Sequence, residues 1–290
     1  MDAVINFNKP KHISSQNAVT RVKNLFGVRK AGHAGTLDPI ATGVLIICLN
    51  EATKITRFLS DFDKEYIVRL KLGERTDTYD STGSIIEKKQ CPSFRETDLR
   101  GVLKNSVGQI KQIPPMYSAI KKNGQPLYKL ARKGMTIKRS ERTVNIYSLE
   151  LVHVHLPYLD LNVFCSKGTY IRTLCDDIGQ ALGVGAHMVS LERTRIGIFR
   201  IEHAASLEEL PSYKKGACYS IDSALSHLNE IILDEDTCNK ARNGRPVIPN
   251  SETLHVNQYV RLKTPEKSLF GIGKVEGNTV KTVRLFHTNS

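Results

Sequence analysis

The sequence reads as an α+β protein: a mixed, mainly antiparallel sheet with flanking helices, followed by a small β-rich domain. Three observations support this. Stretches alternating with a period of two sit beside isolated runs with helical spacing, without the regular strand–helix alternation of a doubly wound parallel sheet. The 290 residues suit two domains, or one large domain with an appendage. From about residue 232 the pattern changes to short strand candidates with Gly271, Gly273 and Gly277 between or within them. The expected division is residues 1–231 and 232–290.

The first helix is predicted from Ser14 or Ser15 as N-cap to Gly27 as stop, with Ala18, Val19, Val22, Leu25 and Phe26 on one face and Arg21 and Lys23 on the other. Val44–Leu49 reads as a buried strand after a Gly-rich loop, and Ala52, Ile55 and Leu59 mark a short helix. Tyr66, Val68, Leu70 and Leu72 alternate with mostly polar neighbours, as a half-buried strand does. Two further strands, near 144–156 and 159–165, meet at Pro157, with Leu159, Leu161, Val163 and Cys165 on one face. Ile171, Leu174, Cys175, Ile178 and Leu182 have helical spacing that ends at Gly183. In the second domain a helix over 236–243 precedes strands at 258–263, 269–275 and 279–286.

Charge narrows the function. Forty-two Lys and Arg against 29 Asp and Glu leave a formal +13, which favours a polyanionic partner. Residues 1–30 contribute +5 and residues 121–142 contribute +7, so +12 lies in 52 residues and the remainder is nearly neutral. A localised charge of this kind suits a nucleic-acid footprint better than general solvation. The longest apolar run, Val44–Leu49, is far below the roughly 18 residues that span a bilayer, and no signal-peptide core follows Met1. The expected setting is the cytoplasm, with no membrane association. Six cysteines without a CxxC pair read as free thiols in a reducing compartment.

The familiar cofactor and metal motifs are missing. There is no HxE with PCxxC, no Walker A loop, no HExxH and no spaced His/Cys set, so no metal or cofactor is expected. His153 and His155, two apart on a strand, suit a surface or packing role. What remains is Gly32-His33-Ala34-Gly35-Thr36-Leu37-Asp38-Pro39-Ile40-Ala41-Thr42-Gly43, a loop whose glycines admit a ligand close to the backbone and which carries one carboxylate. By itself Asp38-Pro39 is a turn former. Lys167-Gly168-Thr169-Tyr170-Ile171-Arg172 opens a helix, and Arg172 could pair bidentately with a buried carboxylate. Tyr66 offers a flat aromatic face.

Through these residues the chain resembles the bacterial TruB-type tRNA pseudouridine synthases. GHAGTLDPIATGVL matches that family's catalytic motif, Lys64-Glu65-Tyr66 its aromatic-bearing strand, and Gly73–Thr78 with Asp80 and Gly83 the next segment. Pro114–Lys121 with Leu127-Tyr128, then Cys165–Asp177, then Leu191–Gly197 follow in order, so the similarity spans roughly residues 3–200. The last 60 residues loosely resemble a PUA-type RNA-binding domain. Two departures stand out: Lys11-His12 follows Lys9-Pro10 where the family has a nearby Gly, and Glu192 stands where a basic residue is more usual.

The resemblance implies a pseudouridine synthase fold and isomerisation of uridine 55 in the tRNA T-arm, by base flipping and without a cofactor. It implies Asp38 as the catalytic residue, Arg172 as its ion-pair partner and Tyr66 as the residue that stacks on the base and assists proton removal at C5. Leu191 would close the other face of the base and His33 would contact the space it leaves. Tyr170, Lys167, Lys9 and Lys64 are expected to support the site or bind RNA. The basic segment 121–142, interrupted by Gly124, Pro126 and Gly134, is expected to be a thumb loop that orders against phosphates. The expected partner is tRNA, bound by a monomer. Two alternatives are a non-catalytic RNA-binding or tRNA-folding protein on the same scaffold, and a guide-RNA-dependent relative.

Overall fold

The strand Thr42–Leu49 is buried on both faces, and that property dictates the layering. In the computed structural model, which describes residues 1–118, 120–122, 124–212, 216–249 and 255–287, the main sheet runs in the order Cys218–Tyr219, Val4–Lys9, Thr42–Leu49, Ala186–Ile196, Lys64–Leu72, Tyr158–Cys165, Arg142–His155, Gly108–Gln112. Ala31–His33 and Phe199–Arg200 pair off this path with Thr42–Leu49 and Ala186–Ile196. Every neighbouring pair along the order is antiparallel except one, Thr42–Leu49 with Ala186–Ile196. The α+β expectation with a mainly antiparallel sheet therefore holds.

Alternate residues of the same strand feed opposite cores. Leu45, Ile47 and Leu49 join Ile5, Phe7, Ala18, Val19, Val22, Leu174 and Ile178 on the face covered by the helices Ser15–Leu25 and Ile171–Ala181. Val44, Ile46 and Cys48 face the other way, onto Ile55, Phe58, Leu59, Phe199, Leu225, Ile272 and Phe286. The run Val44–Leu49 lacks alternation because both of its faces are buried.

Ile272 and Phe286 belong to the second sheet and its C-terminal edge, the sheet order being Asn229–Ile232, Tyr259–Lys263, Leu269–Glu276, Thr279–Leu285. That sheet has its own core of Ile231, Leu233, Cys238, Val247, Val260, Leu262, Phe270, Val275 and Val280. It is seated on the back of the main sheet, and Asp222 accepts ion pairs there from Arg261 (2.6 Å) and Lys263 (2.8 Å). Its first strand, Asn229–Ile232, pairs in parallel with Tyr259–Lys263, so the second sheet begins a few residues before position 232.

Several sequence expectations are revised in detail. Ser14 caps the first helix by accepting from the Asn17 amide at 3.1 Å, while Ser15 is buried and does other work. Leu25 is 41% exposed, while Phe26 beside it still packs against the core. The expected helix over 52–59 is a 3₁₀ turn, Asn50–Ile55, running into a short α-helix, Thr56–Ser60. The structure adds the strands Val4–Lys9, Gly108–Gln112 and Ala186–Ile196 and the helix Glu96–Asn105, which the sequence pattern does not mark. Among the described residues no helix is long and apolar enough to cross a membrane.

The parallel junction of the main sheet is short. Only Glu192 opposite Thr42 and Arg193 opposite Gly43 pair there. Gly43 has φ +98°, and a Cβ at that position would lie 2.4 Å from the Arg193 carbonyl oxygen. The two halves of the sheet meet at a point where only glycine fits. Gly43→Ala should therefore destabilise the protein by about 3 kcal/mol, from a disfavoured backbone conformation plus overpacking. Urea unfolding would show this as a lower midpoint at unchanged slope, and an unchanged midpoint would contradict it.

Candidate active site

Asp38 lies in the loop that leads from Ala31–His33 into Thr42–Leu49, and almost every residue around it is tied down. The Ala41 amide donates to the Asp38 carbonyl at 3.0 Å, closing a turn, and the Ala34 amide donates to the Ile46 carbonyl at 3.0 Å. Ser15, in the first turn of its helix, holds Leu37 from both sides. Its hydroxyl donates to the Leu37 carbonyl (2.9 Å) and accepts from the Leu37 amide (2.8 Å). Pro39 is held through its carbonyl, which accepts from the His12 amide at 2.7 Å. His12 makes that bond with φ +70°, so it adopts the left-handed conformation where the family resemblance expected a nearby glycine. Histidine is among the residues that tolerate it.

From below, the loop rests on Arg193. This side chain is 1% exposed and gives its donors to carbonyls: Nε to Val44 (2.7 Å), Nη1 to Thr36 (3.2 Å) and Nη2 to Gly35 (3.1 Å). No carboxylate stands opposite it among the described ion pairs.

Arg172 approaches the Asp38 carboxylate side-on, with Nε 2.8 Å from Oδ2 and Nη2 3.2 Å from Oδ1. The guanidinium is almost fully buried, with its side chain 6% exposed, whereas the Asp38 side chain is 32% exposed. The acid is thus fixed in direction yet open to an incoming group. The remaining Arg172 donors reach the Tyr117 carbonyl (2.7 Å) and the Thr78 carbonyl (3.1 Å), and Asp80 Oδ2 lies 3.6 Å away. Asp80 is itself held by the Thr78 hydroxyl at 2.8 Å and by the Thr82 amide at 3.0 Å.

The predicted residues fall into two groups. Lys9, Tyr66 and Tyr170 lie within electrostatic reach of Asp38. Leu191 is buried in the same core as Tyr66, Leu37 and Ile40. His33 ends its short strand half-buried, its Nδ1 shielded and without a hydrogen-bond partner. Burial first, then the Arg193 charge, pushes the His33 pKa down, so the ring is neutral at pH 7. Lys64 and Lys167 point elsewhere. Lys64 donates to the carbonyls of Ser60 and Phe62, and exposed Lys167 pairs with Asp61 at 2.8 Å. Glu192 is half-buried and lines a cleft of about 390 Å³ with Lys9, Arg21 and Thr42. The sequence assigns no site role to Arg193 or Asp80, and to Ser15 only that of a candidate N-cap. The signal for Arg193 was an arginine inside the Leu191–Gly197 motif; Ser15 competed with Ser14 for the cap.

Lys9 is fully buried, and its ammonium donates to the Pro10 (2.8 Å) and Ile13 (3.0 Å) carbonyls. Burial lowers its pKa to about 8 against the pull of Asp38, which raises it. Between about pH 8 and the ordinary lysine value, the unfolded chain binds the proton that the folded chain has released, so stability from this group rises with pH over that window. The stability gap between the wild type and Lys9→Met should shift in favour of the wild type from pH 7.5 to pH 10. Urea unfolding at both pH values checks this, and an equal gap would contradict it.

Comparison with known proteins places this geometry. The family model described as TruB family pseudouridylate synthase (N-terminal domain) matches residues 23–171, and the tRNA pseudouridylate synthase B C-terminal domain matches residues 172–238. The tRNA pseudouridine synthase B of Clostridium tetani is 42% identical over 288 residues, covering 98% of this chain and 99% of the relative. That of Haemophilus influenzae is 40% identical over 294 residues, covering 98% and 95%. Among solved structures, one of a Cbf5–Nop10–Gar1 complex superposes with TM-score 0.78 at 27% identity, over 98% of this chain and 85% of the other. One of an H/ACA RNP bound to a substrate RNA containing 2′-deoxyuridine gives 0.76 at 25%, over 99% and 86%. The Asp38 loop falls within the first matched segment and Arg172 begins the second, and the relatives match along almost their whole length, so the chain belongs to the TruB family of pseudouridylate synthases.

Proposed function

We propose that this protein isomerises uridine 55 in the T-arm of tRNA to pseudouridine, as a cytoplasmic monomer and without a cofactor. The observation that carries the proposal is the half-open Asp38 carboxylate clamped side-on by a buried arginine, in a loop fixed by Ser15 and Arg193. In this reading residues 1–231 form the catalytic domain and 232–290 a PUA-like RNA-binding domain, of which 250–254 and 288–290 lie outside the described residues.

The reaction breaks the N1–C1′ bond, turns the base and joins C5 to C1′. The C5 proton is lost and N1 gains one, so no atom is added and no electron leaves. Asp38 supplies the carboxylate for bond cleavage, and Arg172 holds its aim. The target base must first leave its stack, at a cost of a few kcal/mol, which aromatic stacking of about 1–3 kcal/mol offsets in part. Tyr66 provides that face, with Leu191 on the other side of the base. Burial pushes the Tyr66 phenol up to about 12, so it rests protonated; to take the C5 proton it must first release its own to solvent, a loss that the Arg193 charge beside it favours and burial opposes. In this reading Lys167 exchanges its surface partner Asp61 for an RNA phosphate when tRNA binds.

The segment 121–142 serves as the thumb. It carries the short helix Leu127–Ala131, and Lys129, Arg132 and Lys133 are all exposed on or just after it; Asn123 lies outside the described residues.

Asp38→Asn should bind tRNA within about threefold of the wild type while its single-turnover rate falls by about a thousandfold or more. Unchanged isomerisation would remove Asp38 from the mechanism, and a wild type that binds tRNA without forming pseudouridine would favour the RNA-folding alternative. Neutralising Lys121, Lys122, Lys129 and Arg132 should weaken binding and flatten its dependence on log salt by about 0.7–0.9 for each phosphate that is no longer neutralised. A slope equal to the wild type's would exclude the thumb from phosphate binding.

A further inference from the structure

The chain enters the 113–141 segment from Gln112 and leaves it at Arg142, and these two residues pair across antiparallel strands. The rung Gln112–Arg142 is thus the root of the thumb. Gln112 is only 2% exposed, and its side chain turns toward the start of the helix Ile171–Ala181. There its Oε1 accepts from the Tyr170 amide at 3.0 Å and its Nε2 donates to the Tyr170 carbonyl at 3.3 Å. Tyr170 is the N-cap of that helix and its own side chain makes no capping bond. The Gln112 amide therefore braces the helix start in place of a cap, using donor and acceptor on one residue. A side-chain amide carries a donor and an acceptor side by side on one planar group, whatever the pH.

Two residues beyond this clamped residue stands Arg172. Its Nη2, which also touches Asp38, donates to the Tyr117 carbonyl, itself part of the segment that follows Gln112. The thumb root therefore grips the Arg172 segment twice, once through the helix backbone and once through the guanidinium. A small rotation of the first helical turn would swing the guanidinium away from the Asp38 carboxylate, and misplacement of about 1 Å near the chemistry can cost about a hundredfold in rate.

We propose that Gln112 is a positioning residue for the reaction, fixing the helix start so that Arg172 meets Asp38 side-on and tying that alignment to the thumb. The proposal rests on the roles given to Asp38 and Arg172 above. Its test compares Gln112→Met, which keeps the volume and loses both hydrogen bonds, with Gln112→Glu, which keeps the acceptor for the Tyr170 amide. Single-turnover rates at saturating enzyme and tRNA dissociation constants are measured for each, alone and in the Arg172→Lys background.

Gln112→Met should lower the rate by about tenfold or more with affinity unchanged within about twofold, and Gln112→Glu should lose less. In the Arg172→Lys background the same Gln112→Met change should cost less than about twofold, because the alignment it protects is already lost. Equal losses in both backgrounds, a loss carried by affinity, or a wild-type rate for Gln112→Met would overturn the proposal. If Gln112→Met does not fold, Gln112→Glu decides by the same cycle: a rate loss that shrinks in the Arg172→Lys background supports the proposal, and any other result overturns it. A wild-type protein that forms no pseudouridine would instead refute the functional reading on which the proposal stands.

Discussion

One guanidinium holds this site together. Arg172 reaches the Asp38 carboxylate, the Thr78 carbonyl, the Asp80 carboxylate and the Tyr117 carbonyl, so segments distant in sequence converge on a single planar cation. A buried arginine is costly unless its donors are used, and the cost is least when its charge is met as well. Here both conditions are satisfied by groups that include the half-open Asp38 carboxylate. Solvating the arginine and aiming the carboxylate are thus one arrangement, and truncating Arg172 would leave Asp38 without direction and two backbone carbonyls without donors.

Arg193 is its counterpart on the other side of the loop. It meets carbonyls instead of a carboxylate, and it emerges from the strand that joins the two halves of the sheet. The close approach of Gly43 to the Arg193 backbone brings the guanidinium beneath Gly35 and Thr36. The loop is therefore braced by the sheet itself, with Ser15 closing the remaining side from a helix. A loop so constrained loses little further entropy when substrate arrives, which is how preorganisation assists catalysis.

Much of this was legible in the sequence, and the failures have identifiable causes. Tyr66, Val68, Leu70 and Leu72 showed their strand because one face is buried and the other mostly polar. Ala186–Ile196, the strand between the two halves, gave no such pattern. His187 and Arg193 are buried polar residues on it, and they are there to hold backbone carbonyls: His187 Nδ1 meets that of Glu74, and Arg193 those of the loop. Polar side chains recruited for internal hydrogen bonds erase the alternation on which strand recognition depends. Net charge was similarly informative in sum and less so residue by residue. Lys9, counted in the basic N-terminal stretch, is spent on the carbonyls of Pro10 and Ile13 inside the protein. The pairing of Asp38 with Arg172 was open to inference from motif context, whereas the clamps from Ser15 and Gln112 emerge only in the folded chain, because nothing in a lone Ser or Gln distinguishes a buried brace from a surface residue.

The central claim is that the chain completes the isomerisation alone, although similar solved structures include an H/ACA RNP and a Cbf5–Nop10–Gar1 complex. The direct measurement is nucleotide-resolution mapping of pseudouridine in unmodified tRNA transcript incubated with the purified protein, with no guide RNA and no other protein added. The account predicts a single new pseudouridine, at position 55 of the T-arm. Modification that appears only when guide RNA or partner proteins are supplied, or no modification at all, would contradict it.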